Sequence, residues 1–231
     1  MPSILITGAN RGLGLAFSKQ YAAAGWRIYA ACRVPDDADT LNAAAAATEG
    51  RLTVHALDIG DGDSVAALAA GLADEPLDVL LNNAGVYLGK GRGFGETDYD
   101  DWQETLRINT LAPLRMAEAL IGNIASSERK QIICMSSKMG SMADNTGGGA
   151  YLYRSSKAAL NAVMRSLAAD LADRGVTVIA FHPGWVSTDM GGKEAPVTPA
   201  ASVHGMREVI DALTPADSGR FLDYQGKDVP W

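Results

Sequence analysis

The sequence is short of the features that mark several function classes. Its 231 residues hold two cysteines, Cys32 and Cys134, and three histidines, His55, His182 and His204. Two cysteines set in apolar, strand-like runs are too few for a disulfide framework and read as small buried hydrophobes. With the scattered histidines they offer no zinc-ligand spacing, so no metal is expected. There is no basic cluster, and the formal net charge is −7. That excludes a free-standing nucleic-acid binder and disfavours an anionic membrane surface as partner. No run of uncharged apolar residues is long enough to span a bilayer. A basic stretch leading into an apolar run is missing at the start, so the expected location is the cytoplasm. Linkers rich in Pro, Ser or charge are missing too, and so are internal repeats. A single domain over residues 1–231 is therefore expected.

What is present is an alternation of short apolar runs and longer amphipathic stretches. The runs Ser3–Thr7, Arg27–Ala31, Leu52–Ala56, Leu77–Asn82, Gln131–Met135, Val176–Phe181 and Arg220–Leu222 read as strands. Helical patterns separate them: Leu13–Ala24, Thr40–Ala47, Ser64–Leu72, Tyr99–Ile124, Tyr151–Asp173 and Ala201–Leu213. Uninterrupted apolar strands fit a sheet covered on both faces. The alternation predicts an α/β, Rossmann-type, doubly wound fold with about seven parallel strands and helices on both faces. Two long loops, Ser137–Ala150 and the stretch from Gly184 (184–205 at its widest), are candidates for function, the second on the substrate side.

The first strand runs into Thr7-Gly8-Ala9-Asn10-Arg11-Gly12-Leu13-Gly14, and a helix follows. A helix N-terminus presents free N–H groups and a positive dipole end to a phosphate. Glycines let the backbone approach it closely, and the whole loop, Asn10 and Leu13 included, is predicted to contact a dinucleotide. An acidic residue after the second strand would bind a ribose 2′-OH, and an arginine would accept a 2′-phosphate. Arg33 stands there, and Arg11 lies inside the glycine loop. The pair favours NADP(H) over NAD(H), although either arginine alone would read as a surface cation.

Tyr153 and Lys157 are four apart on a predicted helix, hence on one face. An ammonium near a phenol favours the phenolate and lowers the phenol pKa, which makes a usable proton donor or acceptor. Tyr151 has no lysine at that spacing. Ser136 and Ser137 end the fifth strand, at the sheet edge where ligands bind, and either hydroxyl could meet a substrate oxygen. Pro113 cannot bond the carbonyl of Asn109, so a kink and a free carbonyl able to hold a water are expected there.

Taken in order, these segments resemble the short-chain dehydrogenase/reductase family. The likeness rests on Gly8, Gly12 and Gly14, Asp58, Asn82-Asn83-Ala84-Gly85, Asn109, Ser137, Tyr153, Lys157 and Pro183-Gly184. Asn10–Gly14, Cys32-Arg33, His182–Met190 and the ending Gly219-x-Phe221…Pro230-Trp231 are similar to the sniffer-type carbonyl reductases and C-factor proteins. The resemblance implies that Gly8, Gly12 and Gly14 line a pyrophosphate and that Asp58 and Ile59 sit by the adenine. Asn83, Ala84 and Gly85 would support the cofactor. Pro183, Gly184 and Val186 would flank the nicotinamide, with Thr188 near its carboxamide. Tyr153 would be the general acid/base and Ser137 would orient the substrate. Lys157 would tune the tyrosine and hold the ribose, and Asn109 would anchor a relay water. The interval from Ser137 to Tyr153 is longer than in many members, and Ser137 is preferred to Ser136.

The expected activity is NADPH-dependent reduction of a small aldehyde, ketone or quinone. The competing reading is a dinucleotide-binding signalling or regulatory protein of C-factor type. Val86, Tyr87, Met139, Tyr151, Trp185 and Met190 fall near the expected crevice and point to an apolar or aromatic carbonyl. The resemblance implies pairing through the two long helices, as members often do, so a homodimer or homotetramer is expected, with a monomer as the alternative.

Overall fold

The computed structural model describes residues 1–73 and 75–231. Seven strands form one sheet: β1 (Ser3–Thr7), β2 (Arg27–Cys32), β3 (Leu52–Ala56), β4 (Val79–Asn82), β5 (Gln131–Met135), β6 (Thr177–His182) and β7 (Phe221–Asp223). Their order is β3-β2-β1-β4-β5-β6-β7, and every neighbouring pair is parallel. The central strands are buried along their whole length because helices cover both faces. Along β1, Ile4 and Ile6 face one layer while Leu5 faces the other, the period of two that a strand imposes. On the Ile4 side lie α1 (Gly12–Ala23), α2 (Asp39–Ala46) and α7 (Pro199–Ala212), contributing Phe17, Tyr21, Leu41, Val203, Met206 and Ile210. The Leu5 side is packed by α3 (Gly62–Gly71), α5 (Ala112–Ala125) and α6 (Tyr151–Asp170), through Val65, Leu68, Met116, Leu120, Leu160 and Met164. The doubly wound fold expected from the sequence is the one observed.

Strand order reverses between β1 and β4. The connections leaving those two strands part in opposite directions and leave a crevice beyond their carboxyl ends. The glycine loop after β1 and the Asn83–Gly85 turn after β4 both open into it.

Beyond shifts of one to three residues at several ends, two expected boundaries depart more. The stretch Tyr99–Ile124 is not one helix kinked at Pro113. It is α4 (Tyr99–Leu106), a π-helical turn at Arg107–Leu111, and then α5. The Ala112 N–H reaches back to the Arg107 carbonyl, one residue beyond α-helical register. Pro113 follows in the first turn of α5; because the backbone is already helical at Leu111 and Ala112, its missing N–H leaves an upstream carbonyl of this stretch without its ladder donor. The extra residue is thus absorbed before the proline, and it turns Asn109 inward. The second departure is in the expected 184–205 loop. There α7 already starts at Pro199, with the Thr198 hydroxyl accepting from the Ala201 N–H as its N-cap. The free loop therefore ends at Thr198.

Candidate active site

The glycine loop is shaped by contact rather than by flexibility. Gly8 has φ +65°, and a Cβ there would stand 3.0 Å from the Ala84 Cα. A Cβ on Gly14 would collide with the Gly8 carbonyl oxygen and the Asn83 amide, so α1 rests directly on the β1–β4 junction. The Thr7 hydroxyl joins that junction, accepting from the Asn83 and Ala84 N–H groups at 3.0 Å each. Asn83 Nδ2 donates to the carbonyls of Thr7 (2.8 Å) and Gly8 (3.2 Å). Whereas α3, α4 and α7 are capped by Asp61, Asp98 and Thr198, no side chain caps α1. Its first-turn N–H groups remain available to an anion.

The remaining residues expected around a dinucleotide divide by environment. Arg33 is exposed at the end of β2 and makes no ion pair among the described residues. Arg11 pairs with Asp189 at 2.8 Å on the surface, not with a neighbour of Arg33. The Asp58 carboxylate accepts the Gly60 N–H at 2.9 Å, which folds its own turn. Ile59 is buried in the core beside Val65 and Leu68. Thr188 comes over Gly12: a Cβ on that glycine would lie 3.5 Å from the Thr188 methyl. The 183–198 loop thereby covers the glycine loop. Its start is fixed by the Ser202 hydroxyl donating to the Pro183 carbonyl at 2.6 Å and by Gly184 (φ +84°) lying against the Tyr224 ring.

Across the crevice, α6 begins after an unusual turn. Gly148, Gly149 and Ala150 have φ of +62°, +65° and +47°, so three successive residues are left-handed. Arg154 bonds the carbonyls of Gly148 (3.2 Å) and Met139 (3.4 Å) and so ties both ends of the 137–150 loop to the helix. This turn sets which tyrosine points inward. Tyr153 is 8% exposed, and Tyr151 is 40% exposed. The two serines separate as well. Ser136 Oγ is committed to Asn161 Oδ1 at 2.6 Å. Ser137 Oγ accepts the Met139 N–H at 3.1 Å and lies beside the Tyr153 hydroxyl.

Lys157 is also buried, and its Nζ donates to the Met135 carbonyl at 2.7 Å. The ammonium lies 5.7 Å from the Tyr153 ring centroid. Against the expectation from the sequence, the net shift of the Tyr153 phenol is upward. Burial pushes Tyr153 up to about 12; the Ser137 hydroxyl opposes this and Tyr87 adds to it. Burial also brings Lys157 down to about 8, with Cys134 opposing. Two groups removed from water each favour the neutral form. The phenol therefore keeps its proton at neutral pH, as a donor should.

The Asn109 side chain is fully engaged. Fully buried, it accepts the Val86 N–H (2.9 Å) and donates to the Val86 carbonyl (2.9 Å) and the Ser156 hydroxyl (3.0 Å). Ser156 in turn donates to the Tyr153 carbonyl at 2.9 Å. Gly85 passes so close that a Cβ would lie 3.1 Å from Asn109 Oδ1 and 3.6 Å from Lys157 Nζ. Asn109, Ser137, Tyr153 and Lys157 thus converge beside the Asn83–Gly85 turn, next to the glycine cradle.

A profile described as short chain dehydrogenase matches residues 2–197. The chain belongs to the short-chain dehydrogenase family. The C-signal protein of Myxococcus xanthus is 48% identical over 165 residues, which cover 71% of this chain and 99% of that protein. The carbonyl reductase Sniffer of D. melanogaster has a TM-score of 0.93 at 34% identity, with all of both chains covered. An NADPH-bound carbonyl reductase from chicken fatty liver gives 0.91 at 34% identity, over 100% of this chain and 99% of the other. The branch inferred from the sequence is the one these relatives represent.

Several contacts of this dehydrogenase were not legible in its sequence. Tyr87 stacks on Tyr153, with centroids 4.2 Å apart and planes 15° apart. The Tyr153 hydroxyl also meets the Met190 sulfur at 3.9 Å, and Lys90 Nζ holds the Met190 carbonyl at 3.0 Å. The Trp231 carbonyl accepts the N–H groups of Met142 (2.8 Å) and Ala143 (3.1 Å), which pins the segment after Ser137. Only Ser156, at i+3 from Tyr153, left a helical-spacing signal. Among the described residues, no helix is long and apolar enough to cross a membrane, and no three His, Cys, Asp or Glu side chains gather as a metal cage.

Proposed function

We propose that this dehydrogenase reduces the carbonyl group of a small aldehyde, ketone or quinone with NADP(H). The observation that carries the proposal is a buried Tyr153 hydroxyl near Ser137 and Lys157, at the edge of the crevice that the glycine loop enters. The chain fits the cofactor on three counts: glycines whose Cβ positions are filled by backbone and amide, an uncapped α1 N-terminus, and an unpaired Arg33 where a 2′-phosphate would lie. The NADPH-bound chicken relative supports the same assignment.

When bound, the nicotinamide supplies hydride to the carbonyl carbon. Negative charge then grows on the carbonyl oxygen. Ser137 holds that oxygen by a hydrogen bond, and the Tyr153 Oη proton passes to it. Lys157 stands close enough to favour the resulting phenolate. Asn109 keeps the β4 turn and α6 in register through Val86 and Ser156. Gly8, Asn10, Gly12, Leu13 and Gly14 are assigned to the pyrophosphate side and Arg11 and Arg33 to the 2′-phosphate. Asp58 and Ile59 go to the adenine side, Asn83, Ala84 and Gly85 to the floor, and Pro183, Gly184, Val186 and Thr188 to the nicotinamide side.

The 48% identity to C-signal favours the alternative of a signalling role. The complete Ser137, Tyr153, Lys157 and Asn109 set argues for catalysis. Mixing the protein with NADPH and a panel of aldehydes, ketones and quinones decides between them. Falling absorbance of the reduced nicotinamide is expected, and no turnover on any compound would favour the regulator. A second copy is proposed to pair across α4, α5 and α6, where Tyr99 and Leu111 are exposed; sedimentation as a monomer would refute that.

A further inference from the structure

We propose that Tyr87 is a positioning residue for the Tyr153 phenol, setting the plane in which the proton donor meets the carbonyl; this rests on Tyr153 being the donor. The two rings come from different elements, Tyr87 from the turn after β4 and Tyr153 from α6. One buried amide joins their backbones. Asn109 clamps both main-chain groups of Val86, immediately before Tyr87, and bonds Ser156, which bonds the Tyr153 carbonyl. The stack therefore has a fixed base on each side.

The ring geometry follows from that base. Centroids 4.2 Å apart with planes at 15° are nearly parallel rings in close contact, an arrangement that leaves Tyr153 little freedom to swing. The phenol needs this support from its face. Its hydroxyl lies near Ser137 and meets the Met190 sulfur at 3.9 Å, and neither neighbour fixes a ring plane. An ammonium lies near each ring of the pair, Lys157 at 5.7 Å from the Tyr153 centroid and Lys90 at 6.0 Å from the Tyr87 centroid. Lys90 also grips the Met190 carbonyl, so the outer ring is tied to the loop that covers the crevice. Stacking needs the ring of Tyr87 and not its hydroxyl, which gives the inference a sharp test.

The experiment compares Tyr87→Phe, Tyr87→Leu and Tyr87→Ala with wild type under saturating NADPH, using an aromatic aldehyde that the wild type reduces. Loss of the ring is expected to lower kcat about 10- to 100-fold in the Leu and Ala variants, the scale of a displaced reacting group. NADPH affinity should not move. The alkaline limb of kcat/KM should shift to lower pH in both, because water reaches the phenol. Tyr87→Phe should restore kcat to within about threefold of wild type. Should the Ala variant fail to fold, the larger Leu side chain carries the comparison. Wild-type kcat and an unmoved limb in the Leu variant would overturn the positioning role while leaving Tyr153 as donor. A Phe variant as slow as Leu would overturn it too, since the effect would then belong to the hydroxyl. A wild type that turns over no carbonyl at all removes the donor assignment, and this inference with it.

Discussion

The two sides of the crevice are built on opposite principles. On the β1–β2 side the groups proposed for cofactor recognition are main chain or exposed cations: the uncapped start of α1, Arg11 and Arg33. On the β4–β5 side the polar groups are buried and bonded: Asn109, Ser137, Tyr153, Ser156 and Lys157. Surface charges in water are individually cheap to move or remove. Buried polar groups are held by their neighbours, and removing one strands the others. Substitutions on the first side should therefore tune affinity, while those on the second should abolish chemistry.

The largest effect that would sharpen this contrast is Tyr153→Phe. It should cut kcat by roughly 10²- to 10⁴-fold, the range of a lost general acid, and leave NADPH binding nearly intact. Stopped-flow or steady-state assays with a separate cofactor titration would measure both, and retained turnover would erase the distinction. A second effect lies in stability. Burial lowers His182 to about 4 from its usual value near 6.5, so the folded protein holds it neutral where the unfolded chain would protonate it. Its contribution is fully present above about pH 6.5 and is lost as pH falls towards 4; it amounts to about 2 kcal/mol after allowing for partial exposure. Urea titrations across that window should show the loss, and His182→Gln should flatten the slope. If the slope is unchanged, His182 is not its source.

Next in size is Arg33→Ala, expected to weaken NADPH by about 10- to 100-fold, the worth of a hydrogen bond to a charged group, with little change for NADH. Equal losses for both cofactors would remove the 2′-phosphate assignment. Smallest is Asp189→Asn. The Arg11–Asp189 pair is highly exposed on both partners, and its loss should change the unfolding free energy by less than about 0.5 kcal/mol. A larger change would mean that the loop over the glycine turn depends on that contact.

Much of the architecture could be read from residues adjacent in the chain. Ile4-Leu5-Ile6 and Ile132-Ile133 announce strands buried on both faces, and the spacing of Gly8, Gly12 and Gly14 marks the turn into α1. Lys157 one helical turn on singles out Tyr153 over Tyr151 in the sequence; in the fold Tyr153 is buried and Tyr151 exposed. Other features needed the third dimension. The π-helical turn at Arg107–Leu111 leaves no composition signal, so the sequence points to Pro113 for the irregularity, where helix chemistry shows most plainly. The direction of the Tyr153 shift depends on how much water the fold removes, which spacing along a helix cannot report. The Tyr87 stack, the Met190 contact and the Arg11–Asp189 pair join residues far apart in sequence, and each residue taken singly reads as ordinary packing or surface.

The account stands most directly on the fate of one hydrogen isotope. Reduction of an aromatic ketone with NADPH deuterated at the transferring C4 position, followed by mass spectrometry of the alcohol, should place a single deuterium on the carbinol carbon in wild type and yield almost no alcohol with Tyr153→Phe. Alcohol lacking the label, or equal labelled yield from the Phe variant, would contradict it.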